Sequence, residues 1–313
     1  MSAAIASMRT LIENDRIRLA LLALSLVLVA LGPFYLSAYW ERVLIFVFFN
    51  IALASSWNVI GGIAGYPSFG HGVFFGMGAY TCAILIVRGG VPFPLAILGG
   101  GAVAGAFALL FIPLFRQRGF YFALSTLAAQ FAIETVVRTW SFTRGLQSFD
   151  QGWNLPDLGS LDFFYWLTLG LLVACIGSII LMLRTRVGLA LRAIHKDEVV
   201  AASVGIPCTR YKAIAFVFSA VWPGVMGAAY APFLVFISSD NVFNISITLN
   251  MILIAIFGGI GTIIGPIIGG LLLSIIDRLS WAYLLQYHTL IYGLMIIAVI
   301  SFRPAGIASW FKK

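Results

Sequence analysis

Phe163–Leu183 reads FFYWLTLGLLVACIGSIILML, twenty-one residues without a charged side chain. An α-helix needs about 20 mainly apolar residues to cross the hydrocarbon core of a bilayer. The chain changes character on both sides of this run. Before it, residues 141–162 hold three aspartates and one arginine; after it, residues 184–212 hold six basic residues. Apolar spans separated by loops of unequal basic charge are the pattern of a polytopic membrane protein.

The same reading along all 313 residues predicts spans at 19–37, 43–60, 72–87, 94–115, 119–140, 163–183, 212–233, 245–258, 262–277 and 288–302. Composition agrees: 61% of residues are hydrophobic and 10% charged, against about 25% charged in soluble domains. Mean hydropathy is +1.03. The expected fold class is therefore all-α and polytopic, with about 8–10 transmembrane helices. Residues 1–313 are expected to form one transmembrane domain, with no soluble domain of useful size. The 32 glycines suit helices that pack closely in lipid. Residues 19–37 are longer than the apolar core of a signal peptide and run into Ala38-Tyr-Trp-Glu41, so they read as an uncleaved first helix.

Two regions interrupt the helical pattern. Residues 61–78 contain seven glycines and Pro67. Spans 245–258 and 262–277 are short and separated by Gly258-Gly-Ile-Gly261, which allows two short helices or one re-entrant pair. Irregular backbone at that depth requires protein or water around it.

The net charge of +8 does not point to nucleic acid, because the basic residues sit in short clusters between apolar runs. With the N-terminus inside, cytoplasmic segments hold 14 of the 19 lysines and arginines, including Arg116, Arg118 and the six in 184–212. Both termini are thus predicted to be cytoplasmic. Cys82, Cys175 and Cys208 have no paired spacing and read as packing residues, without a disulfide or metal site. None of Lys196, Lys212, Lys312 and Lys313 follows a glycine, so the chain lacks a P-loop. No nucleophile–base motif or metal-binding H-E-x-x-H was found either, so no enzyme activity or cofactor of its own is expected.

The basic loop carries the most informative motif, Gly188-Leu-Ala-Leu-Arg-Ala-Ile-His-Lys-Asp-Glu-Val-Val-Ala-Ala-Ser-Val-Gly-Ile-Pro207. Residues 189–204 lack glycine and proline, and Leu189, Ile194, Val200 and Ala201 can share one side of a helix. Gly205 and Pro207 supply its stop. This is either a solvated connector or a helix presented to a cytoplasmic partner.

Glu198, Ala201 and Gly205 match the loop that ABC-importer permeases insert into their ATPase subunits. Gly188, Ala190–Ile194 with Arg192, Asp197-Glu198, Gly205-Ile206 and Lys212 resemble, more narrowly, the branched-chain amino-acid permeases of the LivM type. The resemblance covers about residues 40–302. It includes Asn58–Gly65, Ser68-Phe-Gly-His71, Phe74–Gly76, Gly78–Tyr80, Arg118–Tyr121, Thr126–Ala128, Glu134, Gly227, Tyr230-Ala231, Gly258–Gly261, Gly265-Pro266 and Gly269. Departures are Tyr66-Pro67, where the family usually has glutamine and leucine, and His195-Lys196, where a basic and an acidic residue are usual. Residues 143–152 also match poorly.

The resemblance implies a permease subunit of an ATP-binding-cassette importer for branched-chain or other hydrophobic amino acids in the bacterial inner membrane. It implies a second related permease as partner, two cytoplasmic ATPase subunits that bind the ATP, and an extracytoplasmic substrate-binding protein. Arg192, Asp197, Glu198, Ala201 and Gly205 would then couple to the ATPases. A urea or short-amide importer is the alternative within the family, and an ion-coupled secondary transporter is the alternative outside it. Ser68, His71 and Glu134 are candidate pathway residues, since intramembrane ionisable groups are functional candidates by default. His71 reads equally as a neutral histidine bonded to freed carbonyls at a helix break, and Glu134 as an (i, i+4) partner of Arg138. Asn50, Asn58 and Asn250 read as interhelical hydrogen-bonding groups.

Overall fold

The computed structural model describes residues 29–117, 119–140, 152–283 and 293. Most of the predicted first span, almost all of 288–302, residues 141–151 and both chain ends lie outside these. Helix α1 (Ala38–Asn58) runs into a π-helical turn at Val59–Ile63. α2 (Gly72–Val87) follows a non-helical stretch, and α3 (Phe93–Ala108) continues as a 3-10 helix over Leu109–Arg116. Next come α4 (Phe120–Thr139), strand β1 (Gly152–Asn154) and α5 (Leu161–Arg184). The basic loop forms α6 (Arg186–Lys196) and α7 (Glu198–Ser203), before the long α8 (Cys208–Leu234). Strand β2 (Phe236–Ser238), α9 (Ser239–Val242), α10 (Ile245–Gly258) and α11 (Ile264–Tyr283) complete the described chain. Six of the helical stretches are long and apolar enough to cross a membrane.

Several helix starts are written in the local sequence. Ser160, Thr185 and Asn244 each accept a backbone N–H with the side-chain oxygen, from Phe163, Val187 and Ser246 respectively. Such caps satisfy donors that the first turn leaves without an intrahelical acceptor. Once formed, the helices sort by burial. α1 is the most enclosed and packs against α5, α8, α10 and α11, whereas α4 and α5 turn most of their apolar surface outward. α2 lies against α3 and α8. There the backbones nearly touch: a Cβ on Gly78 would sit 1.9 Å from the Gly224 carbonyl oxygen. Small residues permit this approach, which lipid-embedded helices use for dispersion contact.

The contacts collect into two ends. At one, Tyr66 meets Phe115 and Phe122, Glu198 meets Lys212, and Asn58 meets Gly261. At the other, Arg88 lies over Trp153, Arg138 pairs with Asp240, and β1 pairs antiparallel with β2 in the register Trp153↔Ile237. The first end contains the basic loop 184–212 and is called the inner end below; the second is the outer end.

The structure adjusts three expectations. The break predicted over 61–78 narrows to residues 64–71, because the π turn and α2 take up the rest. The second of the two weak spans is not short, since α11 has 20 residues. The two-stranded sheet was not anticipated, because strands of three residues are too short to leave a periodic pattern.

Candidate functional site

At the inner end the predicted single helix over 189–204 is two helices. Asp197 breaks it in an extended conformation, φ −161° and ψ 112°, and caps α7 by accepting the Val199 and Val200 N–H groups at 2.8 and 3.1 Å. An aspartate competes well for this position because its carboxylate replaces missing helical acceptors. The break splits the expected apolar side. Ile194 and Ala201 are buried, while Leu189 and Val200 are exposed. Arg192, His195 and Lys196 are exposed on α6. Gly205 closes α7 at φ +86°, with its N–H on the Ala202 carbonyl and the Ile206 N–H on the Ala201 carbonyl. This 6→1, 5→2 pair is a Schellman motif.

Glu198 finds its partner within the same chain. Its carboxylate accepts Lys212 Nζ at 2.6 Å and also the Tyr66 hydroxyl. Lys212 Nζ lies 3.1 Å from Tyr66 Oη and 4.3 Å from the centre of the Tyr66 ring. The lysine side chain is 1% exposed. Three elements are thereby tied by one charge pair with a buried lysine and a half-buried glutamate: α7, the first turns of α8, and the break after α1. His195 abuts Gly65 in that break, where an added Cβ would fall 2.5 Å from its Nδ1.

Beside this cluster is a cavity of ≈ 820 Å³, lined by Arg192, His195 and Lys196 on one side and by Gly61–Ile63 and Ile260–Ile264 on the other. Asn58 pins the two irregular walls together. Its Oδ1 accepts the Gly261 N–H at 2.8 Å, and its Nδ2 donates to the Thr262 carbonyl at 2.8 Å. One amide thus satisfies two backbone groups that no helix serves.

The second concentration of polar groups lies midway through the helices. Gln130, halfway along α4, donates to the Phe243 carbonyl and accepts from Thr248, whose Oγ1 also receives the Gly72 N–H at 2.7 Å. Ser68 accepts the Gly70 N–H on its hydroxyl and the Trp57 indole N–H on its carbonyl. His71 Nε2 lies 3.0 Å from Ser219 Oγ, which donates to the Phe216 carbonyl. That arrangement makes Nε2 the protonated nitrogen, and Nδ1 has no hydrogen-bond partner among the described residues. Ser68, His71, Gln130 and Thr248 are all fully buried.

Glu134 is elsewhere. It lies 3.4 Å from Arg138 one turn along α4, and Arg138 reaches Asp240 at the outer end. The structure therefore places Ser68 and His71 in the same break with separate partners, sets Glu198, Ala201 and Gly205 along α7 and its cap, and leaves Glu134 apart. Sequence reasoning missed the partnership of Lys212 and Tyr66 with Glu198. A lysine heading an apolar run was the available signal; the partners, 14 and 132 residues from Glu198, share no local pattern.

Residues 39–300 match the family described as branched-chain amino acid transport system / permease component. The chain is 28% identical to the high-affinity branched-chain amino acid transport system permease protein LivM of Escherichia coli K12, over 93% of this chain and 74% of that protein. It is 26% identical to LivM of Salmonella typhimurium, over 95% and 76%. Identity to the high-affinity branched-chain amino acid transport system permease protein LivH of Escherichia coli K12 is 24%, over 82% of this chain and 89% of that protein. No solved structure matches the chain.

Proposed function

The chain belongs to the branched-chain amino-acid transport permease family, and we propose that it is the membrane subunit of an ATP-driven importer of branched-chain or other hydrophobic amino acids. Its partners on this reading are a second related permease, two cytoplasmic ATPases, and a binding protein that delivers substrate from outside. Similarity to both LivM and LivH supports pairing with a related permease. The basic-loop asymmetry supports placing α6 and α7 in the cytoplasm.

The observation that carries the mechanism is the Glu198–Lys212–Tyr66 cluster. An ATPase that pushes the α6–α7 pair moves Glu198. The charge pair transmits that displacement to the foot of α8 and to the break at 64–71, because separating the charges in a low-dielectric site is costly. The break leads directly into the polar centre around His71. ATPase closure can thus shift the α2 and α8 segments that bound the midplane, switching access between the two sides.

The test is reconstitution with the partner permease, ATPases and binding protein. Leucine uptake should require ATP and stop when the ATPase is catalytically dead. Uptake that persists in that background and follows a proton or sodium gradient would instead make the chain a secondary transporter.

A further inference from the structure

α11 carries an adjacent acid and base, Asp277 and Arg278, which the mechanism above does not use. Both line a cavity of ≈ 230 Å³ in the outer half of the protein, together with Phe46, Asn50, Tyr230 and Asn250. Phe46 lies eight residues into α1, roughly 12 Å from its outer end at the helical rise per residue. Ionisable groups at such depth mark substrate or ion pathways by default. Among the described residues, the Arg278 guanidinium has no hydrogen-bond acceptor; its Cζ rests 3.5 Å from the centre of the Phe46 ring. The ring accepts the face of the guanidinium and Asp277 lies near enough to act on its charge, while the N–H donors in the guanidinium plane can still take an acceptor that enters the cavity.

Building on the proposed function, we infer that this cavity is a subsite for a zwitterionic α-amino acid with an apolar side chain. Arg278 binds the carboxylate, because the guanidinium fork matches its two oxygens. Asp277 takes the ammonium. A carboxylate has about four acceptor sites, so it can do so alongside the contact it already makes. Asn50, which lines the same cavity, is held in place by its amide donating to Ser274 Oγ at 2.9 Å. The rings of Phe46 and Tyr230, 6.2 Å apart, supply the apolar wall. Urea and short amides carry no carboxylate, so the site selects against them. The membrane subunit then screens substrate after the binding protein has released it.

The test omits the binding protein. The purified permease–ATPase complex in nanodiscs is titrated with leucine, leucinamide (no carboxylate) and 4-methylpentanoate (no ammonium). Wild type should prefer leucine to both. Arg278→Gln should weaken leucine by about tenfold or more, as loss of a charge-assisted hydrogen bond predicts, and should abolish discrimination against leucinamide. Arg278→Lys should recover part of it, and Asp277→Asn should lose discrimination against 4-methylpentanoate. A reporter that keeps Arg278 covers the case of a misfolded variant. Asn241→Cys, at the cavity rim, should be protected from thiol reagents by leucine but not by leucinamide. Equal protection by both, or unchanged discrimination in Arg278→Gln, overturns the subsite while ATP-driven uptake can stand. Loss of the second permease from the Arg278→Gln complex, with discrimination intact, would also overturn it by assigning Arg278 to the subunit interface. Failure of leucine uptake altogether would instead strike the proposed function.

Discussion

Glu198 and Lys212 are a pair whose members cannot be removed singly without consequence. Lys212 is enclosed, so Glu198→Ala leaves a buried ammonium facing the Tyr66 hydroxyl without its counter-charge. Deleting one member of a buried pair costs about 3–5 kcal/mol, whereas replacing both with apolar groups of similar volume is often neutral. Glu198→Ala and Lys212→Met are each expected to lower the thermal unfolding temperature in detergent. The double variant should regain most of the loss yet fail to couple ATP hydrolysis to uptake. Additive losses would mean the pair is not a unit. Gly205 acts through its backbone alone, since an added Cβ would meet nothing within 4 Å. Gly205→Ala should therefore cost about 1–2 kcal/mol of local stability from the left-handed conformation. Gly205→Asn should cost less, because asparagine tolerates that region. Amide exchange of 198–206 measures both, and equal exchange in the two variants would contradict the conformational explanation.

Among elements, the joint between α1 and the α10–α11 connection depends on Asn58. Replacing it with leucine keeps the volume but leaves the Gly261 N–H and the Thr262 carbonyl without the partner they have now. Gly261 is exposed and Thr262 half-buried, so water can replace part of what is lost and each bond is worth about 0.5–1.5 kcal/mol. Asn58→Leu should reduce the yield of folded protein and admit thiol reagents to Thr262→Cys, while Asn58→Gln should be intermediate. Unaltered labelling would mean the loop is held by other contacts. The α3–α8 contact is stricter still. Gly224→Val would bring a side chain onto the Ala104 methyl and the Gly100 carbonyl, at 2.4 and 2.8 Å from the first added carbon. Backbone cannot yield there as a side-chain tip can.

Across the whole molecule, the charges are distributed unequally between the two ends. The inner end holds the basic loop; at the outer end Arg88 and Arg138 are engaged by Trp153 and Asp240. With the basic end in the cytoplasm, a membrane-impermeant thiol reagent applied to intact cells should label Asp157→Cys and spare Lys196→Cys. The reverse pattern would invert the protein and remove the ATPases from α6 and α7.

Hydropathy and charge were enough to establish the fold class and most of the spans. The cost of exposing peptide groups to lipid is local, so each crossing must be apolar in its own sequence. The cap at Gly205 was legible for the same reason, as its chemistry lies within one turn. What only the tertiary structure decided were the long-range pairings: Glu198 with Lys212 and Tyr66, Asn58 with Gly261 and Thr262, and Arg278 over Phe46. Asp197 belongs between the two. It is a good cap by type, but an uninterrupted helix-forming stretch concealed it until Ile194 and Ala201 were both buried. Burial of a polar side chain demands a partner, yet which distant residue supplies it depends on how the helices cross, a property no single stretch of this chain encodes.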